Sequence, residues 1–487
     1  MKRLALPLAL FLGLTAHIGS PNVVYDGDAG PYGVRVVVRP PMVVPGRAEV
    51  VVQLTTTDTA HVSIRPVFWR AGVAGSPSGD DAPRVAGTAN VYIGQIWLMS
   101  RGSYSVYVTV TGARGSGTAI VPVTSFATGR LRLSKGLAAI LIVLGGVLFV
   151  GMITIVRAAT GEALLEPGER ATEATKRRAR VATIVATPIL ALLVFGGAQW
   201  WGSVDGDYER TMYRPPAVDV QVQQENAGKT LSLRVHDTAA FHAIFAPVIP
   251  DHGKMMHLFV IGAGDHGFFG HFHPEEVDSL HFASRLAGVP PGKYRLFGDI
   301  VLANGLSQTV TNTLEWPGNA AQTPPQDPDD STWPTAVIGN VTKPVGIGAD
   351  LTMVWTGAAS LVSGEPADLR FEVRDVRGAV APLAPYMGMA GHAVVLSQDE
   401  SVFVHLHPMG TVAASAQQTF AARDRGDTTA TGRPRLAADA VTMSMPMDGH
   451  LDFPYEFPKP GRYRIWVQVR PVTGAQVLTG AFDLDVR

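Results

Sequence analysis

Histidine and methionine are the side chains of this sequence with the most chemistry to offer. Twelve of its fourteen histidines lie after residue 235, and eight of them form a doubled series. One series is His257, His271, His273 and His281; the other is His392, His405, His407 and His450. His271-Phe272-His273-Pro274 repeats as His405-Leu406-His407-Pro408, and His281 and His450 each stand eleven residues before a glycine of a Pro-Gly pair, Gly292 and Gly461. Side chains at i and i+2 of a strand share a face, so both imidazoles of an H-x-H can reach one ion. Further imidazoles from neighbouring strands would complete a nitrogen site suited to copper or zinc.

Methionines accompany the second series. Met387 and Met389 precede His392, Met409 follows His407-Pro408, and Met443, Met445 and Met447 precede His450. Thioethers favour Cu(I), imidazoles accept Cu(II) and zinc, and the chain has no cysteine. Copper is therefore the expected ion, with zinc the other candidate. The expected ligands are His257, His271, His273, His281, His392, His405, His407, Met409, Met447 and His450. Three blander readings compete: histidines that hydrogen-bond within a β core, methionines that fill one, and imidazoles that sense pH.

The elements that must position these residues read as mainly β. Pro291-Gly292-Lys293-Tyr294-Arg295-Leu296-Phe297 matches Pro460-Gly461-Arg462-Tyr463-Arg464-Ile465-Trp466, a turn opening an alternating strand. Short β-branched runs bounded by turn residues, such as Val34–Arg39, Glu49–Leu54, Thr230–Val235 and Asp368–Val373, predict three sandwiches of Ig-like or cupredoxin-like type, over 21–128, 203–317 and 336–487. The first lacks the histidine series. Residues 318–335, rich in proline and aspartate, read as a linker. About thirty-five extra residues between His407 and His450, roughly 411–445, read as a surface insertion between candidate ligands.

Two charge-free stretches of 21 residues, 136–156 and 181–201, are long enough to span a bilayer. Residues 1–20 have the basic start and apolar core of an export signal. The 157–180 loop carries six basic residues against four on the outer flanks. Signal and charge bias together predict a cytoplasmic loop, with both ends of the chain outside the inner membrane of a bacterium. A net charge of −1 gives no reason to expect nucleic acid.

Met255-Met256-His257-Leu258-Phe259, His271-Phe272-His273-Pro274-Glu275 and Pro290–Phe297 resemble bacterial YtkA-like domains, small extracytoplasmic β-sandwiches broadly similar to CopC-like copper-resistance domains. The resemblance covers about 230 residues after the second span. It implies a sandwich and proximity to copper-handling proteins. The N-terminal histidine ligand of CopC-like domains has no counterpart here. The expected function is membrane-anchored metal binding for buffering, delivery or sensing. The alternative is a non-catalytic accessory subunit of a larger membrane complex, with structural histidines. No nucleophile elbow, P-loop or dinucleotide fingerprint points to an enzyme.

Overall fold

The computed structural model describes residues 22–487 except 59, 132, 164, 167, 226–227, 237–245, 320–322, 335–336, 430–434, 436–446, 473 and 475. The expected export signal, Met443 and Met445 lie outside the described residues. The chain divides into two units: residues up to Phe126 with Arg214–Arg487, and Ala127–Tyr213.

The smaller unit holds α1 (Lys135–Gly161) and α2 (Glu173–Thr211), both long and apolar enough to cross a membrane. Ser134 and Thr172 cap their N-termini, accepting from the Leu137 and Thr175 amides. Helix α2 is much longer than the apolar stretch 181–201. At 1.5 Å per residue its 39 residues reach roughly 58 Å, against about 30 Å of hydrocarbon. Its N-terminal excess takes in the basic run 176–180, so only 162–172 separates the helices. Arg130 pairs with Asp205 and Glu209, which puts the approach to α1 and the end of α2 at one end of the hairpin.

The larger unit is built of antiparallel sheets. Its first segment has β1 (Val23–Ala29), β2 (Tyr32–Arg39), β3 (Gly46–Leu54), β4 (Ala60–Phe68), β5 (Asp80–Asp81), β6 (Val91–Leu98), β7 (Gly102–Gly112) and β8 (Gly115–Ser125). They form sheets β1-β2-β3-β6 and β5-β4-β7-β8, which enclose Val36, Val50, Ile64 and Val108.

The second segment has β9 (Val218–Glu225), β10 (Gly228–Val235), β11 (Val248–Ile249), β12 (His257–Gly262), β13 (Phe268–Phe272), β14 (Glu275–Asp278), β15 (His281–Ser284), β16 (Gly292–Leu302), β17 (Ser307–Trp316) and β18 (Ser331–Pro334). The third has β19 (Val345–Gly348), β20 (Leu351–Trp355), β21 (Pro366–Arg374), β22 (Leu383–Ala384), β23 (His392–Ser397), β24 (Phe403–Leu406), α3 (Ala414–Asp424), β25 (His450–Glu456), β26 (Gly461–Pro471) and β27 (Leu478–Val486). Each has a four-stranded sheet, β14-β15-β10-β9 or β19-β20-β21-β25, and a larger one carrying His257 and His271 or His392 and His405. In the larger sheets β16 pairs with β12 and β17 as β26 pairs with β23 and β27. The shared Pro-Gly-x-Tyr-Arg motif opens β16 and β26. Its tyrosine hydroxyls, on Tyr294 and Tyr463, each donate to a carbonyl four residues back.

Two stretches that read as connections carry structure. Within 318–335, β18 extends the second segment's sheet by pairing with β13. Within 411–445, α3 buries Ala416, Thr419 and Phe420. The loop before α3 pairs with the first segment: Asp26 donates to the Met409 carbonyl and Thr411 to that of Val24, both at 2.9 Å. Gly410 sits at φ +102°, where a Cβ would lie 2.2 Å from the Val24 oxygen. Gly410→Ala is expected to destabilise the larger unit by about 2 kcal/mol or more, read as a lowered midpoint of thermal unfolding.

Candidate metal centre

Strands β12, β13, β23 and β24 are buried on both faces, so their sequences run apolar without alternation. On β12, Leu258 and Val260 face their own segment's core, while Phe259 and Ile261 face the third segment. On β23, Val395 faces inward and Val394 and Leu396 face the second segment. The two large sheets thus pack face to face. Phe297 stacks on Phe403 with centroids 4.2 Å apart, and Phe269 on Trp466 at 5.0 Å. Phe297 matches Trp466 in the repeat and Phe269 matches Phe403, so these are one contact made twice, related by a pseudo-twofold axis.

His257 shares its face with Phe259 and Ile261, and His392 shares its face with Val394 and Leu396. His271 and His405 lie directly across from Phe259 and Val394. The same packing that buries the aromatic residues therefore collects imidazoles beside them. His252, His257, His271, His273, His392, His405 and His407 form a continuous cluster, linked by ring-centroid distances of 4.5 to 6.4 Å.

His257, His271 and His273 bring ring nitrogens within 4.8 Å of one another. Each ring is fixed from behind by an acceptor. His257 Nε2 is 3.2 Å from the Asp251 carbonyl oxygen, His271 Nδ1 is 2.8 Å from Gln468 Oε1, and His273 Nδ1 is 3.1 Å from Asp330 Oδ1. The Gln468 amide group donates to Ser331, which turns its oxygen to His271. The Tyr386 hydroxyl donates to the Asp329 carbonyl, so it too faces His271 Nδ1 as an acceptor. These partners assign the hydrogens to the outer nitrogens, leaving lone pairs on His257 Nδ1, His271 Nε2 and His273 Nε2. The first two are 3.1 Å apart. Two such lone pairs repel unless a cation lies between them, and two nitrogens on a tetrahedral ion at about 2.0 Å are roughly 3.3 Å apart. Backing each ligand with an acceptor is how proteins orient metal-binding imidazoles.

His252, His392 and His407 form a second triad within the same 4.8 Å limit, joining one residue of the second segment to two of the third. His405 sits between the triads, 5.1 Å from His257 and 4.5 Å from His407 by ring centroid. Among the described residues, seven buried ring nitrogens on His252, His273, His392, His405 and His407 make no well-formed hydrogen bond. Each unsatisfied buried group costs about 1–3 kcal/mol, so together they cost on the order of 10 kcal/mol, comparable to a domain's whole net stability.

Burial pushes His257, His271, His392 and His405 well below the ordinary imidazole range. Next in weight come neighbouring rings, His273 for the first two and His407 for the others. His407 is lowered to about 4, by burial and then by His252. Neutral imidazole is the ligating form. Asp299, whose carboxylate is 3.6 Å from His405 Nδ1, is pushed up to about 7 by burial.

Six of the ten expected ligands meet here: His257, His271, His273, His392, His405 and His407. The other four lie elsewhere. His281 bonds to Ser232 and Arg234 on its own sheet. The His450 side chain is 55% exposed beside Glu372 and Asp448. Met409 packs against the first segment's core and Met447 against the third's. The equal spacing of His281 and His450 to the Pro-Gly turn marks the start of equivalent strands, β15 and β25, not a shared ligand role. His252 went unrecognised in the sequence. Its signal is a turn repeated ahead of each first histidine, Pro250-Asp251-His252-Gly253 matching Pro385-Tyr386-Met387-Gly388, with His252 and Met387 both near φ +50°. Replacing His281 and His450 together by alanine is expected to leave metal uptake unchanged in a titration of the full chain.

The cluster lies wholly within a stretch recognised in other chains. Residues 216–318 and 348–487 match the family DUF8832, described as a domain of unknown function. The matched ranges carry all seven clustered histidines. No curated protein matches the chain. Among solved structures, dimeric latent PorU from Porphyromonas gingivalis is 8% identical, with 96% of this chain and 34% of that chain covered at a TM-score of 0.14. This chain thus spans about a third of PorU's length. A β-glucuronidase from Parabacteroides merdae is 6% identical, with 95% and 77% covered at a TM-score of 0.15. Likenesses this slight carry no argument about fold or activity.

Proposed function

We propose that the chain is a membrane-anchored metal-binding protein whose ion sits among His257, His271 and His273. The observation that carries this reading is the set of three imidazoles with an acceptor behind each, two of whose ring nitrogens face one another 3.1 Å apart. The described cluster is all imidazole, so the methionine argument for Cu(I) gives way to a preference for a borderline divalent ion, copper(II) or zinc. Copper(II) is the stronger binder of the two at a nitrogen site. The reading places the β segments outside the cytoplasmic membrane as three Ig-like or cupredoxin-like sandwiches, the latter two YtkA-like, anchored by α1 and α2. Copper-handling or other membrane proteins are its natural partners. Buffering, delivery or sensing fits a buried site better than catalysis.

The test uses the full chain in detergent, stripped with chelator and titrated separately with copper(II) and zinc. Near-stoichiometric uptake is expected, and His271→Ala combined with His273→Ala is expected to remove the ion bound there. Asp330→Asn is expected to weaken binding 10- to 100-fold by loosening His273. Absence of uptake of either metal would sink the proposal and favour an accessory subunit with structural histidines.

A further inference from the structure

The pseudo-twofold relation between the large sheets is broken where it touches the imidazoles. Asp251 stands where the third segment has Tyr386, His252 where it has Met387, and Asp299 where it has Gln468. His252 reaches across to the third segment, with its ring centroid 5.0 Å from His407 and 5.7 Å from His392. Both ring nitrogens of His392 and of His407 are buried without a well-formed hydrogen bond, as is His252 Nε2. His392 is therefore not held from behind as His257, His271 and His273 are, and His407 has only a loose contact with the Val412 backbone. Two carboxylates stand close: that of buried Asp251, whose Oδ2 lies 3.6 Å from His252 Nε2, and that of half-buried Asp299, whose Oδ2 lies 3.6 Å from His405 Nδ1. Asp251 also accepts the Ser415 amide at the start of α3, which fixes it in place.

We propose that His252, His392 and His407 hold a second divalent, imidazole-preferring cation, and that His405 lies between the two centres as a ligand open to either. This rests on the metal-binding reading above and extends it from one ion to two, held in unlike sites. The first centre is drawn wholly from the second segment, with its tautomers set in advance. The second spans two segments, so filling it clamps the sheets together. It draws on Asp251 and Asp299 to offset the ion's charge, since isolated buried charge is unfavourable. The pre-oriented first centre fills first, because its ligands need no rearrangement.

Copper(II) uptake by the chelator-stripped full chain, counted as tightly held ions per chain, tests this. Two ions are expected for the wild type and one for His252→Asn, a change that tolerates the positive φ of the turn. Near-UV circular dichroism of the metal-free variant should match the wild type, and His392→Leu should also hold one ion. One ion in the wild type, or two in both His252→Asn and His392→Leu, would overturn the second centre while leaving the first. No ion in the wild type would overturn both.

Discussion

Replacing His392 with leucine is expected to make the metal-free protein more stable while removing an ion. The His392 ring is fully buried and neither of its nitrogens makes a well-formed hydrogen bond. Leucine has a similar volume and needs no such partner, so the substitution should gain about 1–3 kcal/mol in the stripped protein. A histidine kept for structure gives the opposite sign: its loss would break bonds and cost a comparable amount. Metal-free unfolding midpoints of wild type and His392→Leu, measured in the same detergent, therefore separate ligation from structure. A fall in the variant's midpoint would count against ligation.

The second large effect is a steep loss of metal-free stability in mild acid. His257, His271, His392, His405 and His407 have folded pKa values below the ordinary imidazole value of about 6.5. As pH falls below that value, the unfolded chain takes up protons that the folded chain refuses, so stability falls with pH. For His407 the fall continues to about pH 4, its folded value. Asp299 works the other way. Its folded value of about 7 lies above the ordinary 3.8, so it contributes stability below pH 3.8 and loses it as pH rises towards 7. Five imidazoles against one carboxyl leave a net of four protons. At about 1.4 kcal/mol per proton and pH unit, the steepest slope is roughly 5 kcal/mol per pH unit. Unfolding midpoints of the stripped protein between pH 7.5 and 5.0 should drop sharply below about 6.5, and bound metal should shift that drop towards acid. A flat profile would mean that the imidazoles are neither buried nor crowded as described.

Much of this arrangement was legible in the sequence. The β-branched runs and the duplicated Pro-Gly-x-Tyr-Arg motif foretold mainly β structure and a repeat, and each H-x-H pair does bring two imidazoles together, although His273 and His407 lie one residue past the ends of β13 and β24. What could not be read was that β12 and β23 bury both faces. An unalternating run such as His257–Gly262 fits a strand inside one sandwich as well as a strand between two sheets. The contact of Phe297 with Phe403 is a product of tertiary packing alone, and it is what merges two histidine series into one cluster. His281 and His450 misled because their spacing follows strand starts, while His252 was hidden in a turn where its repeat partner is methionine. The length of α2 also exceeds its apolar stretch, since helix continues through residues 176–180, where hydropathy falls but propensity does not.

X-ray absorption at the metal edge is the most direct measurement of the central claim. With one equivalent of copper(II) or zinc on the stripped full chain, the account predicts an inner shell dominated by nitrogen near 2.0 Å, with the outer-shell scattering of about three imidazoles. The wild type should lose that imidazole signature when His257, His271, His392 and His407 are all replaced. An oxygen-only shell, or a spectrum unchanged by those replacements, would contradict a metal centre in this cluster.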